Sequence, residues 1–223
     1  MTMIGRKLTL VFALSALFSL TGTDCFFYAR SGGSASVPDD QRGGGLLVIV
    51  RDGRFVDAPV EGLGYRSGSV SGITGADGGF RYQEGQTVAF FIGDIALGVP
   101  TAGKALITPL DLVPQGTLDT PAVINIARLL QSLDALPGDA RITIPARVRA
   151  AAVDANPGVN AALPFLAFSD ETRFVNAAAQ LVATLTADYA FTGVLVDARE
   201  ARAHLQRSLA AAGVEAAGSA SPP

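Results

Sequence analysis

The chain has 223 residues, of which 49% are hydrophobic and 17% charged, and its formal net charge at pH 7 is −3. This composition is typical of a globular protein and argues against a chain kept unfolded by charge repulsion. The charge balance is weakly acidic and no basic patch interrupts it, so nucleic acid is not expected as a partner.

Residues 1–25 are predicted to be a signal peptide. Arg6 and Lys7 make the start of the chain positively charged, and the uncharged apolar run Leu8–Leu20 follows. A run of this length fits an export signal and is shorter than the roughly 20 residues of a membrane-spanning helix. The alternative is that the apolar segment is retained as a membrane anchor, which would cost free energy because Asp24 would be buried in the membrane. We therefore expect an extracytoplasmic protein, in the periplasm or at the outer membrane or cell surface.

The single cysteine, Cys25, is the candidate for lipidation. It follows the apolar run at the position where bacterial lipoproteins carry their acylated residue, which would anchor the chain to a membrane. Asp24 argues against this cleavage, because a small side chain is expected just before the cysteine. The other predicted cleavage follows Ala35, with Gly33 and Ala35 as the small residues, and both sites stay open. Since one cysteine forms no internal disulfide, stability must come from packing.

Residues 26–45 are predicted to be a flexible tether, because this stretch is rich in glycine and serine. From residue 46 to 114, short β-branched and aromatic runs alternate with turn residues, which predicts an antiparallel β-sandwich. The Ala76–Gly79 turn indicates a hairpin, and of the adjacent Phe90 and Phe91 one is expected to face the core. The predicted strands are Leu46–Val50, Phe55–Val60, Ser69–Thr74, Phe80–Tyr82, Thr87–Ile92, Ile95–Val99 and Lys104–Thr108.

Residues 115–214 are predicted to form a helical subdomain of about four helices, followed by a disordered tail, residues 215–223. Thr120-Pro121 begins the first helix, whose apolar face continues as far as Asp134 before Pro137-Gly138 ends it. A second helix is expected from Pro145 to Asn156, where Asn156-Pro157-Gly158 acts as a stop. The third starts at Ser169 or Asp170, and the fourth runs from the Asp197 and Glu200 capping box to Gly213. The fold class is therefore α+β, with the sandwich first and the helices second.

Two resemblances add to this interpretation. Ser71–Tyr82, continuing into Gly85–Val88, resembles a hairpin of the transthyretin-like, carboxypeptidase-regulatory-like sandwich modules. The resemblance implies a β-sandwich of a secreted or surface protein. Such a module acts by binding or as a spacer and has no catalytic residues of its own. Three further segments resemble exported bacterial lipoproteins and adhesin-like surface proteins of unassigned role, which implies a location rather than an activity. These segments are Phe80–Ile92, Thr108–Val113 and Asn125–Asp134.

No set of catalytic residues emerges from the sequence. The one histidine, His204, lies four residues after Glu200, and this spacing predicts a surface contact between the two on a helix. No serine lies in a Gly-x-Ser-x-Gly motif. Asp111, Asp134 and Asp139 are candidate cation ligands, but no calcium-loop motif surrounds them, so caps and turns are the preferred roles. One histidine and one cysteine also exclude the usual zinc centres, and no cofactor or bound metal is predicted.

Three functions remain open at this stage. The first is a non-catalytic cell-envelope protein that acts through contacts with a protein partner, as an adhesion, scaffold or accessory subunit. The second is a periplasmic hydrolase or carbohydrate-active enzyme with two carboxylates, although the chain has no tryptophan for sugar stacking. The third is a carrier that holds a small apolar ligand between sheet and helices. Contact with a membrane is expected only through the N-terminal anchor or a lipid.

Overall fold

The computed structural model describes residues 48–189 and 193–214. The predicted signal peptide 1–25, the later cut after Ala35, Cys25, the tether 26–45 and the tail 215–223 lie outside the described residues. The contacts within the chain divide it after Gly45, and the unit that begins at Leu46 contains every described element. None of the described helices is both long and apolar enough to cross a membrane.

The described residues form strands first and mainly helices second, which confirms the predicted α+β class. The strands are β1 Val50–Phe55, β2 Val60–Glu61, β3 Gly64–Ser67, β4 Val70–Ile73, β5 Gly79–Gln83, β6 Thr87–Ile92, β7 Ile95–Ala96, β8 Thr101–Ala102, β9 Leu106–Ile107 and β10 Ile142–Thr143. The helices are α1 Pro121–Ser132, α2 Ala146–Ala151, α3 Pro157–Ala162, α4 Glu171–Leu185 and α5 Ala198–Ala211. Short 3-10 helices cover Pro109–Leu112 and Leu163–Phe165.

The strands form three sheets with mixed pairing. One has the order β5-β1-β9, one the order β4-β3-β6-β7 with β8 beside β6, and one pairs β10 with β2. The pairs β1–β9 and β2–β10 are parallel, whereas the others are antiparallel. The prediction of purely antiparallel strands was therefore wrong. The sequence did not reveal that β10, which is far along the chain, pairs with β2 beside the turn that ends β1.

Strand β1 continues through Asp52-Gly53, whereas the sequence predicted that the strand would end at Val50 before these turn-forming residues. Its backbone pairs with β5 over this stretch. Gly53 permits the close passage of a neighbouring segment, since a Cβ there would lie 2.7 Å from the carbonyl oxygen of Lys104. The predicted second strand, Phe55–Val60, is instead a tight turn, in which Val56 bridges Pro59 and Ala58 has a φ of 55°. This turn determines where the Asp57 side chain lies.

The Ala76–Gly79 turn is present, but the hairpin predicted from it is not. Gly78 has a φ of 74°, and the backbone N–H of Gly79 donates to Asp77 Oδ1 at 2.9 Å. However, β4 pairs with β3 while β5 pairs with β1. The turn therefore carries the chain from one sheet to another, because local turn chemistry does not specify which strands will pair.

The helices begin largely where local capping chemistry predicted them. Asp170 accepts a hydrogen bond from the backbone of Arg173 at 3.1 Å, and Asp197 caps α5 in the same way. One stop signal was misinterpreted: Asn156 accepts from Gly158 N at 3.1 Å and starts α3 with Pro157 as its first residue. Asparagine followed by proline is a helix start as well as a helix stop.

Strands and helices share one hydrophobic core. Phe55 and Phe90 from the strands belong to the same buried cluster as Leu130 of α1 and Leu181 of α4. A second cluster lies between α1 and α5. Helix α1 is thus buried on nearly all sides and contacts both the sheets and the other helices. This central position explains how residues of α1 come to face Asp57 and α5.

Candidate functional site

His204 does not make the surface contact that its spacing predicted. Its Nδ1 lies 3.0 Å from Oδ1 of Asp57, which is 147 residues away along the chain, rather than pairing with Glu200. The imidazole is about one-third exposed, whereas the Asp57 side chain is fully buried. The histidine therefore lies between the core and the surface. Its Nδ1 contacts a buried carboxyl, and Nε2 is on the opposite side of the ring.

Two helices and one turn position the Asp57 carboxyl. The tight turn after β1 directs it inward, where Gln131 of α1 donates from Nε2 to Oδ2 at 3.0 Å. The same amide lies 3.3 Å from the carbonyl oxygen of Ala201, at the start of α5. Both carboxyl oxygens thus have partners, and the cluster of Asp57, Gln131 and His204 connects the sheet region to α1 and α5.

Burial dominates the electrostatics of this cluster. Removal of the Asp57 carboxyl from water raises its pKa above 3.8, while the hydrogen bonds from His204 and Gln131 and the charge of His204 oppose the rise. A carboxyl in this environment orients the imidazole through Nδ1. When the imidazole is neutral and donates through Nδ1, Nε2 is an acceptor; when it is protonated, Nε2 is a donor.

A pocket of about 440 Å³ adjoins His204. One wall is the turn after β1, and the other is the C-terminal half of α5. Its described lining contains three cationic or titratable side chains, one serine and several small apolar ones: Arg54, His204, Arg207, Ser208, Val56, Ala58, Pro59, Ala140, Ala211 and Ala212. Two other hollows, of about 540 and 430 Å³, lie near Asp52 and near Asp119.

Asp57, His204 and Ser208 are residue types found in hydrolases, but their geometry is not that of a nucleophile activated by a base. Ser208 Oγ donates to the backbone carbonyl of His204 at 3.0 Å, one helical turn away. Within the described part of the chain, the hydrogen bonds of Ser208 do not include the imidazole. The arrangement can therefore orient a histidine toward a bound molecule, and it lacks the contact between serine and histidine that would activate Ser208 as a nucleophile.

The three candidate cation ligands each accept hydrogen bonds from backbone N–H groups, Asp111 in a 3-10 helix and Asp134 and Asp139 in the connection between α1 and β10. Asp111 Oδ2 accepts from the backbone N–H of Thr108 at 2.8 Å, and its Oδ1 lies 2.6 Å from Lys104 Nζ. Asp134 Oδ1 accepts from two backbone N–H groups, and Asp139 Oδ1 accepts from the backbone of Arg141. Across residues 48–189 and 193–214, no three histidine, cysteine or acidic side chains are grouped to hold a metal ion.

Asp57 and Gln131 were not predicted from the sequence as residues of a site. A signal was present, since Asp57 is the one charged residue between Phe55 and Val60, where the other side chains are apolar. Likewise, Gln131 follows two leucines on a helix that is otherwise nearly all buried. An isolated polar residue in an apolar run indicates a buried partner, but it does not identify that partner.

Comparison with known proteins adds no relative to this description: no protein-family model, no curated protein and no solved structure matches the chain.

Proposed function

We propose that this chain is a non-catalytic protein of the bacterial cell envelope that acts through protein contacts. The observation that carries the proposal is an exposed apolar stretch made of the first residue of β1 and the two residues before it. Val48, Ile49 and Val50 are 51%, 50% and 43% exposed. A row of large apolar side chains in water, on a segment that also has unpaired backbone groups, is the usual basis of strand addition between proteins.

The hydrogen bonds of β1 define which backbone groups are available. The Ile49 carbonyl accepts from Glu84 N at 2.8 Å, and Phe55 N donates to the Gly78 carbonyl at 2.9 Å, so the odd-numbered residues face β5. The even-numbered residues face the opposite edge, where Arg54 N donates to Ala105 at 2.9 Å. Strand β9 pairs only with Arg54 and Phe55. Among the described residues, no strand pairs with that edge at Val50 or Asp52.

A second copy of the same edge is the partner that fits these groups. An antiparallel pair centred on Val50 places Val50 opposite Val50 and Val48 opposite Asp52 of the second copy, so donors meet acceptors on both sides. Arg51 then faces Ile49 of the second copy, and the two Arg51 side chains avoid each other. We therefore propose an isologous dimer formed by β1, which would serve an adhesion or scaffold role.

The resemblance to transthyretin-like modules supports the same proposal. We propose that β5-β1-β9 and β4-β3-β6-β7 are the two faces of such a β-sandwich. The side chains of Phe55 on one sheet and Phe90 on the other lie with ring centroids 4.8 Å apart, which is consistent with two sheets that share a core. The Ala76–Gly79 turn between sheets fits that topology.

We expect sedimentation velocity to detect a concentration-dependent dimer of the purified protein. Val50→Pro should weaken the dimer by about 10- to 100-fold, because it removes the outward N–H in both copies and each hydrogen bond contributes about 0.5–1.5 kcal/mol. The bonds to β5 remain, since Val50 does not make them. Val50→Thr keeps the N–H and is the matched control. A protein that stays monomeric to about 200 µM, or a dimer that Val50→Pro leaves unchanged, would overturn the proposed interface.

The envelope location rests on the predicted signal peptide and is tested separately. We expect the protein expressed in a bacterium to be recovered from the envelope, and its intact mass to show where the leader is removed. A start at Cys25 with added acyl mass and a start at Ser36 are the two expected products. An unprocessed chain beginning at Met1 in the cytoplasmic fraction would contradict export.

A further inference from the structure

The pocket beside His204 has the dimensions of a small-molecule site. Its volume of about 440 Å³ lies within the range of roughly 300–1,000 Å³ that single small ligands occupy in proteins. Val56, Ala58 and Pro59 form an apolar side, and Ala211 and Ala212 face them from the last turn of α5. A ligand with an apolar body would remove these side chains from water.

The polar groups of the pocket are positively charged or able to become so. Arg207 lies three residues after His204 on α5, and among the described residues no ion pair involves it. Arg54 is at the rim, where it pairs with Asp77 at 3.2 Å with both side chains well exposed. None of the described residues that line the pocket is acidic. This concentration of cations in a chain of net charge −3 favours an anion.

Asp57 gives the pocket an oriented ring nitrogen, which donates to an anion when the imidazole is protonated. Because the buried carboxyl occupies Nδ1 at 3.0 Å, Nε2 is the nitrogen left for a ligand. The hydrogen bond from Gln131 holds the carboxyl in place from its other oxygen. The orientation of the imidazole is thus established before any ligand binds, which lowers the entropy lost on binding.

From these observations we propose that the pocket binds a small monocarboxylate with an apolar body, such as a medium-chain fatty acid. The carboxylate pairs with the Arg207 guanidinium and the imidazole of His204, and the hydrocarbon covers Val56, Pro59 and Ala211. A guanidinium binds a carboxylate through two parallel N–H donors, which suits this head group. Arg54 at the rim belongs to β1, but the two groups that bind the carboxylate lie on α5, so the site does not depend on the proposed dimer.

The test uses octanoate with the purified protein, followed by calorimetry and by backbone amide NMR. We expect octanoate to shift the amides of residues 54–59 and 204–212. Octanamide, which has the same hydrocarbon without the charge, should bind at least about tenfold more weakly, and acetate should bind far more weakly because each buried CH₂ contributes about 0.8 kcal/mol.

Arg207→Gln should weaken octanoate binding about tenfold, since it removes the charged partner from an exposed position. Arg199→Gln is the matched control: it removes the same charge from the same helix but lines a different hollow, and it should leave the affinity within about twofold. Three results would overturn the proposal. They are no binding at about 10 mM octanoate, equal binding by Arg207→Gln, and amide shifts confined to other parts of the protein.

Discussion

Replacement of Phe90 by alanine is expected to lower the free energy of unfolding by about 3–5 kcal/mol, the cost of removing a large aromatic side chain from a packed core. Phe90 is 2% exposed. Its ring centroid lies 4.8 Å from that of Phe55 and 5.1 Å from that of Phe80, so the variant loses contacts with two residues of the other sheet, β5-β1-β9. For a unit of this size the melting temperature should fall by roughly 10 °C. Thermal and urea unfolding, followed by circular dichroism, measure both quantities.

Phe91→Ala is the matched control, one residue away on the same strand. Its side chain is only partly buried, covering Gly64 and lying 6.0 Å from the Arg66 guanidinium carbon. We expect a loss of about 1 kcal/mol, because a half-exposed ring removes less area from water in the folded state. Equal losses for the two variants would contradict the placement of β6, since a shift of one residue in its register would exchange the two faces.

Asp57→Ala is expected to cost about 2–4 kcal/mol, because it leaves the Gln131 amide and the Nδ1 of His204 without their shared partner. Asp57→Asn should cost less than about 1 kcal/mol, since its amide can accept from Gln131 and donate to a neutral imidazole. The two variants separate loss of hydrogen bonding from loss of charge. If Asp57→Ala were as stable as Asp57→Asn, the cluster would contribute nothing to the docking of α5.

The pH dependence of the same pair of proteins tests the buried carboxyl. The folded-state pKa of Asp57 is raised above 3.8, so the folded protein holds this proton more tightly than the unfolded chain does. The contribution of Asp57 to stability is therefore fully present below pH 3.8 and decreases as the pH rises through the raised pKa. Relative to Asp57→Asn, the wild type should lose stability as the pH rises above 3.8 and through the raised pKa of Asp57. A difference that is constant over this range would contradict the raised pKa.

Local structure was the part of this fold most open to prediction from sequence. Asp170 and Asp197 cap α4 and α5 through backbone groups two or three residues away, and such bonds depend only on neighbouring residues. The alternation along β6 also predicted that only one of Phe90 and Phe91 would be buried. The misinterpretations at Asn156 and at Asp52-Gly53 arose where one local signal suits two structures and the surroundings decide between them.

The candidate site was not open to prediction in this way. Its residues come from the turn after β1, the last turn of α1 and the middle of α5, and the contact of Asp57 with His204 spans 147 positions. The sequence predicted that His204 and Glu200 lie on the same face of a helix. The helical spacing is correct, but it does not say which residues pack against that face. The partner depends on how α5 lies against α1, where the second core cluster packs between the two helices.

By itself, then, the sequence determined the α+β class, most helix starts and the scarcity of groups for catalysis, because composition and capping are local properties. The tertiary structure alone decided that strand pairing is mixed, that no described strand pairs with one edge of β1 at Val50, and that a buried carboxyl orients the single histidine. Each of these features depends on contacts between segments that are far apart in the chain and pack in a common core. A local sequence pattern does not specify such contacts.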